Sequence, residues 1–147
     1  MIKSASYLPA PETPSAKFPY ALITGRTVYH FHTRTKTARA EQLQAAAPDV
    51  WVEISAADAD RESIEEGDVL EISTDRGTIA ARARVGNVRP GVIFVPFHYG
   101  YWDRPREANH RRAANELTRT DWDPASKQPT LKVAAASLRS AATSANC

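Results

Sequence analysis

Of the 147 residues only one is a cysteine, Cys147, at the last position. One thiol excludes an internal disulfide framework, a thiolate zinc site and an iron–sulfur cluster, and so sparse a use of cysteine suits a reducing compartment, here expected to be the cytoplasm. No run of 18 apolar residues occurs, so no membrane insertion is expected. The opening "MIKSASYLPAPETPSAKFPY" has no apolar stretch of the kind a secretory leader carries. Neither sign of charge dominates: 19 basic and 17 acidic residues leave a formal net charge of +2, too little to expect nucleic acid as a partner. Glycine is scarce, six in all, and none sits in a Gly-x-Gly-x-x-Gly or Walker-type phosphate loop. There is no Gly-x-Ser-x-Gly elbow either, and the lone thiol lies in a small, polar tail, so acyl-transfer chemistry has no visible machinery.

What is present is an ordinary globular composition, 42% apolar and 24% charged, at a length that suits one domain with its own core. The charges are unevenly placed. Residues 25–39 hold Arg26, Arg34, Lys36 and Arg39 with no carboxylate, whereas much of the acid lies in 53–71. The stretch "GRTVYHFHTRTKT" (25–37) adds two histidines and the hydroxyls of Thr27, Tyr29, Thr33, Thr35 and Thr37. A local basic, hydroxyl-rich loop on a balanced protein points to a small anion. Gly25 lets backbone approach a ligand closely, and arginine can grip a phosphate through two parallel bonds. An ordinary solvated connection is the plainer alternative.

The patterning favours β structure. Residues 1–19, with prolines at 9, 11, 14 and 19, read as an extended arm or linker. Tyr20 to Thr24 is a strand stopping at Gly25. Ala38 to Ala47 reads as a short helix, ended by Pro48. Val50 to Ile54 alternates as a strand, and Ser55 can cap a helix over 56–59. Val69 to Thr74 and Thr78 to Val85 form a hairpin around "DRG" (75–77), where Gly77 is expected to supply a positive φ. The second of these strands places Ile79, Ala81, Ala83 and Val85 on one face. Val92 to Val95 is a buried strand after the "RPG" turn. Residues 96–129 look irregular, 131–138 a final strand, and 139–147 a flexible tail. Many short strands with one or two helices indicate a small β barrel spanning 20–138.

Individual residues carry weaker signals. His30 and His32 would share a face if they lay on a strand, but no carboxylate or cysteine stands near to complete a metal site. His98 and His110 are isolated. "VPFHYGYWD" (95–103) sets Phe97, Tyr99, Tyr101 and Trp102 around His98, as an aromatic wall for a planar ring or as packing at the barrel mouth. Asn115 and Lys127 offer one amide and one cation, in stretches whose residues also simply make turns.

Taken in order, "LITGRTVYHFHTRTKTARA", "WVEISAADA", "GDVLEISTDRGTIAARARV", "PGVIFVPFHYG", "ANELT" and "DPASKQPTLKVAAASL" resemble the C-terminal molybdopterin-dinucleotide-binding domain of the dimethyl sulfoxide reductase family of molybdenum and tungsten oxidoreductases, of nitrate reductase and formate dehydrogenase type. The resemblance covers about residues 19–138. It implies a double-psi β barrel of the aspartate-decarboxylase-like kind, with the Gly67–Asp68 turn at a crossover corner. It implies molybdopterin guanine dinucleotide as cofactor, in the bis form, with molybdenum or tungsten held by other domains. Thr24, Gly25 and Arg26 would lie along the cofactor. His30, His32, Thr33, Arg34, Thr35 and Thr37 would reach its pterin and phosphates, with His98 beside them and Asn115 and Lys127 closing the far side. Many relatives carry Gly-Thr-Met-Thr where this chain has Arg34-Thr35-Lys36-Thr37. A chain without the metal-ligating and iron–sulfur domains is expected to work as a cofactor-binding module with a larger catalytic chain, not as a catalyst alone. A freestanding nucleotide or pterin carrier, and a functionless fragment of a split gene, are the alternatives. A decarboxylase on the same scaffold would want an internal Gly-Ser cleavage site, and none is present.

Overall fold

The computed structural model describes residues 4, 7–104 and 111–141; His110 and Cys147 lie outside them. Six strands close into a barrel: β1 (Tyr20–Gly25), β2 (Trp51–Ser55), β3 (Val69–Ser73), β4 (Thr78–Gly86), β5 (Val92–Pro96) and β6 (Val133–Ser140). Around the barrel the order is β1-β5-β2-β4-β3-β6. Two pairs are parallel, β1 with β5 and β2 with β4, and the others antiparallel. The two parallel pairs meet through β2 and β5, which is the double-psi arrangement. A closed barrel leaves no strand edge unpaired.

Strand alternation decides what fills the interior. Leu22, Val52, Ile54, Leu70, Ile72, Ile93 and Val95 are wholly buried, each contributing roughly 1.5–3 kcal/mol of hydrophobic stabilisation. On β4 the inward face is Ile79, Ala81 and Ala83, while Arg82 and Arg84 point outward. Val85, expected on the inner face, is exposed although it pairs with Ile54 near the end of the strand. Ala134–Ala136 are all buried, since β6 is flanked by β1 and β3 and small side chains fit where neighbours crowd.

Two helices are short. Helix α1 covers Glu41–Ala46, preceded by a separate 3₁₀ turn at Thr37–Arg39; the single helix expected over 38–47 is interrupted at Ala40, whose backbone is extended. Helix α2, Ala56–Glu62, is capped by Ser55, whose Oγ accepts from the Asp58 amide (3.1 Å). Asp58 is fully buried and accepts from Ser55 Oγ and the Gly91 amide, both at 2.7 Å, with Arg61 alongside. Burial alone would raise its carboxyl's pKa; those donors outweigh it and hold the group below the usual carboxylate range.

The glycines with positive φ are Gly67 (+89°) and Gly91 (+79°). Gly77, expected to play that part in the hairpin, does not. Its need is space: a Cβ there would lie 3.2 Å from the Glu116 carbonyl oxygen. The last strand starts at Val133 and runs to Ser140, so Arg139 and Ser140 pair with β3. The arm is clipped to the barrel, Glu12 accepting two bonds from Arg76 (2.8 and 2.9 Å) and one from the Ala135 amide (2.9 Å).

Candidate functional site

Three chain segments far apart in sequence meet at one end of the barrel. β1 and β5 run parallel with Gly25 opposite Pro96, so both exit on the same side. β6 is antiparallel to β1, Val133 opposite Ile23, so it enters there. Thr24 ties the three together: its amide donates to the Lys132 carbonyl (3.2 Å) and its hydroxyl to the Leu131 carbonyl (2.8 Å). Gly25 passes Phe94 so closely that a Cβ would lie 2.5 Å from the ring. The loop after β1 therefore starts from a fixed point.

Buried side chains then give residues 26–37 their shape. His98, at the end of β5, is wholly buried. Its Nδ1 donates to the His32 carbonyl (2.6 Å), and its Nε2 accepts from the Thr27 amide (2.8 Å). Those partners require the neutral Nδ1-protonated ring. Burial pushes the pKa of His98 down, and the His32 carbonyl only partly restores it. His30 is likewise buried, with Nε2 donating to the Ala47 carbonyl (2.7 Å) and Nδ1 bonded to Thr37 Oγ1 (3.0 Å). Arg34 is fully buried: it donates to Gln44 (2.7 Å) and Asp103 (2.5 Å) and lies over the Tyr99 ring. Trp102 Nε1 donates to the Thr33 carbonyl (3.1 Å). His32 (φ +44°) and Arg34 (φ +68°) both hold left-handed backbone, a conformation that costs non-glycine residues roughly 1–2 kcal/mol.

Other groups point outward. Arg26 is exposed, its guanidinium 3.3 Å from His32 Nε2 and over the Phe97 ring, 5.9 Å from the centroid. Lys132 places its ammonium 4.0 Å from the same ring's centroid. Among the described residues neither cation has a carboxylate partner. Partial burial lowers the pKa of Lys132, and the charge of Arg26 lowers it further. Thr27 Oγ1 is buried and, among the described residues, without a hydrogen-bond partner. Thr33, Thr35 and Lys36 are exposed along the loop. A groove of about 390 Å³ is lined by Lys132, by Trp122 with Asp121 and Asp123, and by the arm at Pro9–Pro11.

The structure thus divides the residues singled out from sequence. Arg26, His32, Thr33 and Thr35 lie on the loop's open side. Thr24, His30, Arg34, Thr37 and His98 are committed to protein partners. Asn115, in a 3₁₀ turn, and Lys127, at a turn with φ +59°, are exposed, and among the described residues neither side chain has a hydrogen-bond partner. His30 and His32 do not share a face, since they lie on a loop. Among the described residues no group of three or more His, Cys, Asp or Glu could hold a metal ion. Sequence reading missed Lys132. Its signal was slight: one cation just before the apolar run of β6.

Residues 20–135 match the family model described as "Molydopterin dinucleotide binding domain", which is most of the chain, and the chain belongs to that family. It is 37% identical over 133 residues to the F420-dependent formate dehydrogenase subunit alpha of Methanocaldococcus jannaschii, covering 90% of this chain and 18% of that one. It is also 37% identical over 133 residues to the periplasmic nitrate reductase of Desulfovibrio desulfuricans, covering 90% and 16%. Among solved structures, acetylene hydratase from Pelobacter acetylenicus superposes with a TM-score of 0.71 at 17% identity, covering 84% of this chain and 18% of that chain; at that identity the likeness speaks for the fold alone. The chain spans between 16 and 19% of the length of the relatives it matches. The sequence resemblance to the dimethyl sulfoxide reductase family and the expected double-psi barrel are therefore both upheld. Among the described residues no helix is long and apolar enough to cross a membrane.

Proposed function

We propose that this barrel binds molybdopterin guanine dinucleotide through its pyrophosphate, as a module serving a larger oxidoreductase chain that holds molybdenum or tungsten and, in the bis form, both pterins. One observation carries the reading: Arg26 and Lys132 both approach a single aromatic ring at the site where β1, β5 and β6 converge, and among the described residues neither pairs with a carboxylate. Like charges held together without a counter-ion match a multiply charged anion. Thr27, next to Arg26 in the chain, adds a hydroxyl that has no hydrogen-bond partner among the described residues. The donor set fits the cofactor's phosphates.

The cofactor, when bound, supplies the redox chemistry. The chain's own residues bind and orient. Arg26 and Lys132 take the phosphate charge. Thr33, Thr35 and Lys36 extend the donor surface, and His32 stands next to Arg26. His30, Thr37 and His98 hold the loop without touching ligand. Asn115 and Lys127 close the far side from their exposed turns. On its single cysteine we assign the chain to the cytoplasm.

The test is a tagged pull-down from the native host, with metal analysis and pterin fluorescence on the eluate. Co-purification of a large chain with pterin and molybdenum or tungsten is the expected result. Pterin without metal or partner would make the protein a carrier. An empty, solitary protein would overturn the proposal in favour of a functionless fragment.

A further inference from the structure

We propose that Asp103 is the positioning residue of the ligand loop and that Arg34 is the lever through which it acts. Arg34 has left-handed backbone at φ +68° and no exposed side-chain surface. A surface arginine would not adopt that state unaided, because the backbone strain and the burial of a charge both oppose it. Asp103 offsets both. One carboxylate oxygen accepts from Arg34 at 2.5 Å; the other accepts from Arg112, which is also wholly buried. Arg112 in turn donates to Asp49 (3.0 Å), just before β2, and to the Gly100 carbonyl (2.7 Å). The lock is thereby anchored to the barrel. The preceding residue, Trp102, grips the Thr33 carbonyl, so adjacent residues of one segment hold adjacent residues of the other.

Arg34 therefore serves the anion site indirectly. It fixes residues 33–36, and with them the exposed Thr33, Thr35 and Lys36, while Arg26 and Lys132 face outward. That ligand role rests on the cofactor-binding reading above; the loop role does not.

The experiment uses the full chain, with guanosine diphosphate as a soluble pyrophosphate probe. Asp103→Asn keeps the side chain's shape and removes its charge, leaving two buried guanidiniums undercompensated. In the absence of ligand, amides of residues 27–36 are expected to exchange about tenfold faster, with core amides of β1, β2 and β5 unchanged. Affinity for guanosine diphosphate is expected to fall about tenfold. In an Arg34→Gly background, Asp103→Asn should add no more than about twofold to loop exchange, because the lever is gone. Unchanged loop exchange in Asp103→Asn overturns the proposal. So does acceleration that spreads over the whole barrel, or one that persists in full without Arg34. Faster loop exchange with unchanged affinity overturns the ligand role and the anion-binding reading of this loop, while upholding the lock. If Asp103→Asn does not fold, Arg34→Gly alone decides: a freed loop on an intact barrel upholds the lever, and an unaltered loop removes it.

Discussion

Replacing Arg26 and Lys132 by alanine, singly and together, separates ligand binding from stability. A charge-assisted bond to phosphate is worth about 1.5–3 kcal/mol when water is excluded. Both side chains are exposed, so about 1–2 kcal/mol each is the better figure, or roughly 5- to 30-fold in Kd. The two losses should not add in full. With one cation deleted, the anion can settle closer to the one that remains. We expect about 2–3 kcal/mol for the double variant, roughly 30- to 150-fold. Isothermal titration with guanosine diphosphate at low and high salt measures this directly, and the wild-type affinity should itself weaken with salt. Without ligand the variants should melt within about 2 °C of wild type, as surface changes commonly do, because among the described residues neither cation has a carboxylate partner to lose. A double variant that binds within about twofold of wild type would refute the assignment. A Tm lowered by more than about 5 °C would show that the cations are structural instead.

Two further outcomes follow from groups that shape the loop. His98 is neutral when folded and its pKa is depressed by burial, so below about pH 6.5 the unfolded chain takes up a proton that the folded chain resists. Its contribution is complete above that pH and is lost as pH falls toward the folded value; wild type should lose more stability between pH 7.5 and 5.5 than His98→Gln does, and identical slopes in urea titrations would contradict this. Gly25→Ala would press a methyl group to 2.5 Å from the Phe94 ring, which packs on Trp51; a loss of about 1–3 kcal/mol is expected, and a denaturation midpoint unmoved from wild type would show that the ring yields freely.

The fold was legible because barrel strands state their inner face through alternation. Val50, Val52 and Ile54, or Ile79, Ala81 and Ala83, need no partner to be recognised. The capped start of α2 was legible for the same reason: Ser55 acts within three residues. The site was harder to read, because its logic is long-range. A basic loop in sequence contains both kinds of cation, those that face solvent and those locked inside. Nothing within residues 25–37 reveals that Arg34 pairs with Asp103, 69 positions away. Nor does anything local place Lys132 beside Arg26. The histidines are a similar case: one stitches the loop to itself from the turn that follows β5, a role invisible until β1 and β5 are set side by side.

The convergence of β1, β5 and β6 also imposes an order of events on biosynthesis. The hydroxyl of Thr24 is satisfied by a carbonyl 107 positions downstream, and the Thr27 amide by an imidazole 71 positions downstream. A ribosome-bound chain that has not yet released its final strand holds Arg26 but neither Lys132 nor a barrel seam to set it against. Contacts of such separation form late, since loop closure must be completed first. On the function proposed above, anion binding would then act as a checkpoint on synthesis: only a closed barrel assembles both cations, and a truncated or misthreaded chain lacks one of them.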